Sequence, residues 1–272
     1  MTNPDTVLIL AAHGSSHPGA RTALEGFAAR VRSAAQASRV LLAYTAVSRT
    51  GGHHPSRYPG CGLEDVLAGL GGEGPLDLRV QSLHVIAGDE FDRMCETLAA
   101  FSTARGAGLA VSGPLLSGPG DAPGVARALL ESFGTAEKSS AAGGSAPQAC
   151  VLMGHGTTHD AQELYRILAR ELNGACARTR LGVLEAADPD DPLSIHAIAR
   201  DLAASGVRAA RLIPFLTVAG RHAHKDLAGD QPGSWKSVLL RHGITSMPDL
   251  AGLVEREAFA RLWLERACAS EG

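Results

Sequence analysis

One phrase occurs twice in this chain. Residues 7–17 read VLILAAHGSSH and residues 151–159 read VLMGHGTTH, so His13 and His155, and likewise His17 and His159, stand 142 residues apart. Each copy is an apolar run that breaks into a Gly-bearing histidine turn just before a helical pattern. A buried parallel strand presents a side chain at its carboxyl end in this way, and open α/β sheets place their ligands there. A second match supports the first: VIAGDE at 85–90 aligns with TVAGRH at 217–222, which sets Gly88 against Gly220 and Glu90 against His222 at an offset of 132. The ten residues by which the offsets differ fit in the loop at 50–59, TGGHHPSRYP, where Gly, Pro and the pair His53 and His54 break every periodicity.

Two related halves account for both matches, each a β-α-β-α-β-α-β unit with a ligand-type residue after its first and third strands. The fold class expected is α/β: two similar Rossmann-like lobes, parallel sheets flanked by helices, and an active site in the cleft between them. At 272 residues the chain is long enough for two domains of about 100 to 150 residues. The small, polar, patternless stretch at 135–148 reads as linker, which gives lobes at 1–134 and 149–272, with the last helix able to pack back on the first lobe.

Hydrophobic residues make up 45% of the chain but aromatics only 4%, so both cores must be aliphatic. The net charge of −3 offers no global attraction to nucleic acid or an anionic membrane, and any anion site must be built locally. Five scattered cysteines without a C-x-x-C pair indicate neither a disulfide framework nor a zinc or iron-sulfur knuckle. Residues 1–6 carry no basic stretch and the apolar run at 7–12 is too short to span a bilayer, so a soluble cytoplasmic protein is expected.

In chain order, strands are expected at 7–12, 40–47, 78–86 and 109–116 in the first half. Those of the second half begin with the run from Val151 and include 181–187 and 211–218. Helices follow from Pro18, near 63–70, from Phe91, from Asp121, from Asp160 to a Gly174 cap, and from Pro192 behind an Asp191 cap. His155 and His222 then fall at neighbouring strand ends. Glu185 interrupts an apolar run, and a carboxylate there needs a cation, a metal or strong donors. Glu90 reads either as a cleft carboxylate or as a helix first-turn acid favoured by the macrodipole. Two imidazoles with a carboxylate suit a divalent first-row metal that keeps positions open for a substrate, so His155, Glu185 and His222 form the expected ligand set.

The Gly154-His155-Gly156-Thr157 turn, LHVIAGDEF at 83–91 and TVAGRHAHKDLAGDQPGSWKSVL at 217–239 together resemble the anaerobic cobaltochelatases of the cobalamin pathway, class II chelatases related in fold to ferrochelatase. The resemblance spans nearly the whole chain. It implies ATP-independent insertion of Co²⁺ into sirohydrochlorin, with Ni²⁺ or Fe²⁺ as alternative metals and no organic cofactor. His155 and His222 carry over as metal-holding histidines, and Glu185 and Glu90 as cleft carboxylates, Glu90 joining the two histidines in catalysis. His13 matches the shorter single-domain members, where that histidine contributes to the site. Arg221 stands where an acid is the expected family residue, and His224 adds an imidazole nearby.

Sirohydrochlorin is rich in carboxylates, so donors are needed. His13, Arg49, Arg221 and Lys225 are the expected substrate-binding residues, with Arg57 in the same loop as Arg49; for the basic residues a solvated surface role is the alternative. The tetrapyrrole is the expected partner, without nucleic acid or membrane, and self-association is left open. Two rival readings remain. A carrier would use the same cleft without turnover. The RHGIT run at 241–245 matches the R-H-G-x-T of histidine phosphatases, but that motif belongs on the first strand of a domain and here lies close to the end of the chain.

Overall fold

The structure, a computed structural model, describes residues 5–35, 37–46, 61–71, 74–134 and 148–269, with residues 268 and 269 described in backbone only. The loop at 50–59, the linker at 135–147, and with them His53, His54, Arg49 and Arg57, lie outside the described residues.

The chain divides into two compact units: unit 1 comprises Met1–Ser117 and Ala260–Gly272, unit 2 Gly118–Phe259. Unit 1 is built from β1 (Asp5–Ala12), α1 (Pro18–Ala34), β2 (Arg39–Tyr44), α2 (Leu63–Ala68), β3 (Leu76–Ser82), α3 (Asp89–Arg105) and β4 (Gly108–Ser112). Its sheet runs β2-β1-β3-β4, parallel throughout. Unit 2 opens with α4 (Ala122–Phe133) and continues through β5 (Gln148–Gly154), α5 (Gln162–Ala175), β6 (Thr179–Val183), α6 (Ile195–Ala204), β7 (Ala209–Pro214), α7 (Trp235–Arg241) and β8 (Thr245–Pro248). Its sheet runs β6-β5-β7-β8, again parallel. The two orders are the same, as the internal repeat requires.

The apolar runs are strands because both their faces are covered. Val7, Ile9 and Ala11 of β1 pack with Leu63 and Leu67 of α2 and Met94 and Leu98 of α3. Val151 and Met153 of β5 pack in the same sense with Ile198 and Leu202 of α6 and Trp235 and Leu239 of α7. Parallel strands held so by helices end abruptly, and several end sooner than the sequence pattern suggests. β3 stops at Ser82, because β1 beside it stops at Ala12; after a last bond from Leu83 N to Ala11 O at 2.8 Å, residues 84–86 turn to meet 115–116 instead. β6 stops at Val183, so Glu185 lies past its end.

Helix boundaries also shift. α6 starts behind Ser194, whose hydroxyl accepts from His196 N, while Asp191 caps a preceding turn by accepting from Leu193 N at 2.8 Å and pairs with Arg166. α5 runs through Gly174 to Ala175 and ends on an extended Cys176 rather than on a left-handed glycine.

The division between units differs from the one composition suggests. α4 belongs to unit 2, where the guanidinium carbons of Arg256 and Arg211 lie 5.0 and 5.9 Å from the centre of the Phe133 ring. The last helix, α8 (Glu257–Ala269), delivers Trp263 to unit 1, edge-on to Phe27 at 6.3 Å, and Arg266 donates to Pro114 O. Cys61, Cys95 and Cys150 are free thiols. Among the described residues no helix is long and apolar enough to cross a membrane.

Candidate metal centre

The turn after β5 is forced by its neighbours. A Cβ on Gly154 would sit 2.7 Å from the ring of Tyr165, and Gly156 has φ +87°, with Val183 and Glu185 too near to admit a side chain easily. Only glycine meets both conditions, which leaves His155 as the one side chain the turn displays. Tyr165, fully buried on α5, pins the turn from below: burial pushes its hydroxyl's pKa up, against hydrogen bonds from the backbone of Gly156 and His155. The buried stripe of α5 is therefore Tyr165, Leu168 and Leu172, with Leu164 and Ile167 only half-buried.

Backbone pairing carries the neighbouring segments past the ends of their strands. Leu184 N donates to Gly154 O and Glu185 N to His155 O, both at 3.1 Å, so Glu185 is set beside His155. Its Oε1 lies 3.5 Å from His155 Nδ1, which is also 3.2 Å from Gly156 O. On the other side, Phe215 N donates to Met153 O, and the chain then reaches Gly220, Arg221 and His222. The rings of His155 and His222 meet edge to face, centroids 4.9 Å apart at 86°. His155, Glu185 and His222 are each nearly half exposed, so solvent and solutes reach them. Arg221 and Lys225 are exposed on the same turn as His222.

Among the described residues, no three His, Cys, Asp or Glu side chains form a ready-made metal cage. Two imidazoles and one carboxylate are instead gathered at an open strand edge, an arrangement with room for a coordination partner from outside.

Unit 1 repeats the same backbone with different side chains. Thr45 N donates to Ala12 O, Ala46 N to His13 O and Leu83 N to Ala11 O. His13 thus occupies the place of His155, Ala46 that of Glu185, and Glu90, in the first turn of α3, that of His222. Glu90 here closes a polar chain. His13 Nδ1 lies 2.6 Å from Glu90 Oε2, the Thr45 hydroxyl donates to Oε1, and His84 is held between Thr45 Oγ1 and Ser82 Oγ at 2.9 Å each. Thr45 lies in no repeated motif, and His84, inside the LHVIAGDEF stretch, has no histidine counterpart in the second half. His159 serves its own turn, its Nδ1 accepting from Ala161 N.

Electrostatics fixes the charge states of this chain. Burial alone raises the Glu90 pKa, but hydrogen bonds and charge from His13 and His84 outweigh it and hold the carboxyl far below its ordinary 4.5. The bond to Glu90 raises His13 above its ordinary 6.5, against the opposing effect of burial. Glu90 is therefore a weak base, and the bond to it favours the imidazolium form of His13.

The stability consequence has a definite sign. The raised His13 contributes in full below pH 6.5 and loses its contribution as pH rises through its folded-state value; the depressed Glu90 contributes above pH 4.5 and loses its contribution as pH falls through its own folded-state value. Urea unfolding of Glu90→Gln against the unsubstituted protein is expected to show its largest deficit between these two ordinary values and a smaller one near pH 9. The His13 side chain is 65% exposed, so about 1 kcal/mol or less of the deficit comes from that pair. A deficit larger near pH 9 than between those two values is the opposite result.

The family described as Cobalt chelatase (CbiK) matches residues 6–270 of the chain. The sirohydrochlorin cobaltochelatase CbiKC of Nitratidesulfovibrio vulgaris is 32% identical over 264 residues, covering 97% of this chain and 89% of that protein. The sirohydrochlorin cobaltochelatase of Salmonella typhimurium is 30% identical over 195 residues, 72% of this chain and 69% of its own. Among solved structures, SirB from Bacillus subtilis with Fe³⁺ superposes with a TM-score of 0.63 at 13% identity over 98% of both chains. CbiX, described as the terminal enzyme for biosynthesis of siroheme in denitrifying bacteria, gives 0.61 at 20% identity over 97% of this chain and 99% of that one. These two likenesses bear on the fold, which is that of two similar α/β halves, and the sequence matches bear on descent. The chain belongs to the cobalt chelatase (CbiK) family.

Proposed function

We infer that this protein is a sirohydrochlorin cobaltochelatase, inserting Co²⁺ into sirohydrochlorin without nucleotide hydrolysis. The observation that carries the reading is the pair His155 and His222, rings 4.9 Å apart at adjacent strand ends, with Glu185 3.5 Å from the first. In this reading those three side chains hold the incoming cation, and their exposure leaves positions for the macrocycle nitrogens.

Metallation requires two pyrrole N–H protons to leave while the cation sheds water. A neutral imidazole near pH 7 can hold the cation through its one lone pair and take up a proton there once the cation has passed to the macrocycle, so His155 and His222 suit the two tasks in turn. Glu90 is assigned a charge role rather than proton uptake, because a carboxyl held so far below its ordinary value accepts protons poorly. By favouring His13 as imidazolium it fits that residue to bind a substrate carboxylate, a task shared with the exposed Arg221 and Lys225. Arg49 keeps the same assignment by sequence alone. Sirohydrochlorin is then the sole partner required, a cytoplasmic setting suffices, and Ni²⁺ and Fe²⁺ are competing metals.

Purified protein incubated with excess sirohydrochlorin and Co²⁺, then with Ni²⁺ and Fe²⁺, is expected to give many product equivalents per protein, read from tetrapyrrole absorbance, with cobalt fastest. A single stoichiometric equivalent would make the protein a carrier instead.

A further inference from the structure

We propose that Asp226 is the positioning residue for His222, fixing its ring and tautomer so that Nε2 is the nitrogen offered to the cation. The inference rests on the reading of His222 as metal-holding.

His222 Nδ1 lies 2.7 Å from Asp226 Oδ2. A carboxylate at that distance accepts the Nδ1 proton, which leaves the lone pair of a neutral ring on Nε2. His155 is arranged to the same end by a different route, its Nδ1 lying 3.2 Å from the Gly156 carbonyl oxygen. Both imidazoles thus have Nδ1 engaged with oxygen acceptors.

The backbone holds the acid in place. His222 opens a π-helical turn, Ala223–Leu227, closed by Ala228 N donating to Ala223 O at 3.1 Å. Ala223 and Leu227 are fully buried, Leu227 among the core side chains of α6 and α7, while His222 and Asp226 stand on the solvent side of the turn. The anchored turn prevents the acid from drifting away from the ring. Single π turns inside helices are commonly found at functional sites, where they re-aim side chains.

Outer carboxylates of this kind typically contribute about 10- to 100-fold to metal affinity. Titration of Co²⁺ alone into Asp226→Ala by calorimetry is expected to show affinity lower by about that factor, with Asp226→Glu recovering most of it. The KM for cobalt should rise in step while that for sirohydrochlorin stays put. The ring nitrogens of His222, followed by ¹⁵N NMR above the imidazole titration, should show the Nδ1–H tautomer in the unsubstituted protein and a mixture in the Ala variant. Should Asp226→Ala fail to fold, the isosteric Asp226→Asn takes its place.

His222→Ala serves as the control. Loss of cobalt binding there, with unchanged affinity in folded Asp226→Ala, overturns the role of Asp226 alone. Unchanged affinity in both variants overturns the metal-holding reading of His222 and the Asp226 inference with it.

Discussion

Replacing His155 with alanine is expected to slow cobalt insertion by about 10²- to 10⁴-fold, the range for removing a positioned imidazole that also handles protons. The fold should persist. The ring is 45% exposed and its removal opens no core cavity, so the urea midpoint should move by no more than about 0.5 kcal/mol equivalent. His222→Ala is expected to lose activity in the same range. Because two ligands of one ion act as a unit, the double variant should be little worse than the more damaging single one. Chelation in His155→Ala at the unsubstituted rate, followed by tetrapyrrole absorbance, removes that residue from the mechanism. Losses that multiply would mean that the two histidines act on separate events.

The strand ends were legible because the chain states them twice. A Gly-His-Gly turn after an apolar run is ambiguous in one copy; the second copy, at a matching place in a like order of elements, identifies His155 and predicts His222 as its neighbour. What stayed hidden is tertiary. Tyr165 reads as an ordinary helix aromatic, and nothing local reveals that its ring excludes a side chain at Gly154 or that its hydroxyl ties the turn. Asp226 sits in a run of exposed charge that looks solvated until the backbone places it four residues along the turn from His222. Thr45 and His84 meet Glu90 only because β2 and β3 end at the same level of the sheet. The division of the chain was hidden for a similar reason: composition marks polar stretches, but which sheet a helix packs on is decided by side chains such as Phe133 and Trp263.

Trp263 offers the largest expected effect on stability. It is fully buried in unit 1, edge-on to Phe27 of α1, and comes from α8, more than two hundred residues further along the chain. Truncating a buried aromatic of this size costs about 3 to 5 kcal/mol, because the lost burial is compounded by a cavity that α1 cannot collapse to fill. In a protein of ordinary marginal stability that is a large share of the total. Among the described residues its indole N–H has no hydrogen-bond partner, so the nitrogen contributes nothing that a phenyl ring would forfeit. Trp263→Phe is therefore expected to keep most of the stability that Trp263→Ala loses, with urea unfolding by far-UV circular dichroism as the readout. Equal losses in the two variants would show that the unpaired nitrogen matters after all. Trp263→Ala within about 1 kcal/mol of the unsubstituted protein would mean that α8 is an appendage of unit 1 rather than part of its core.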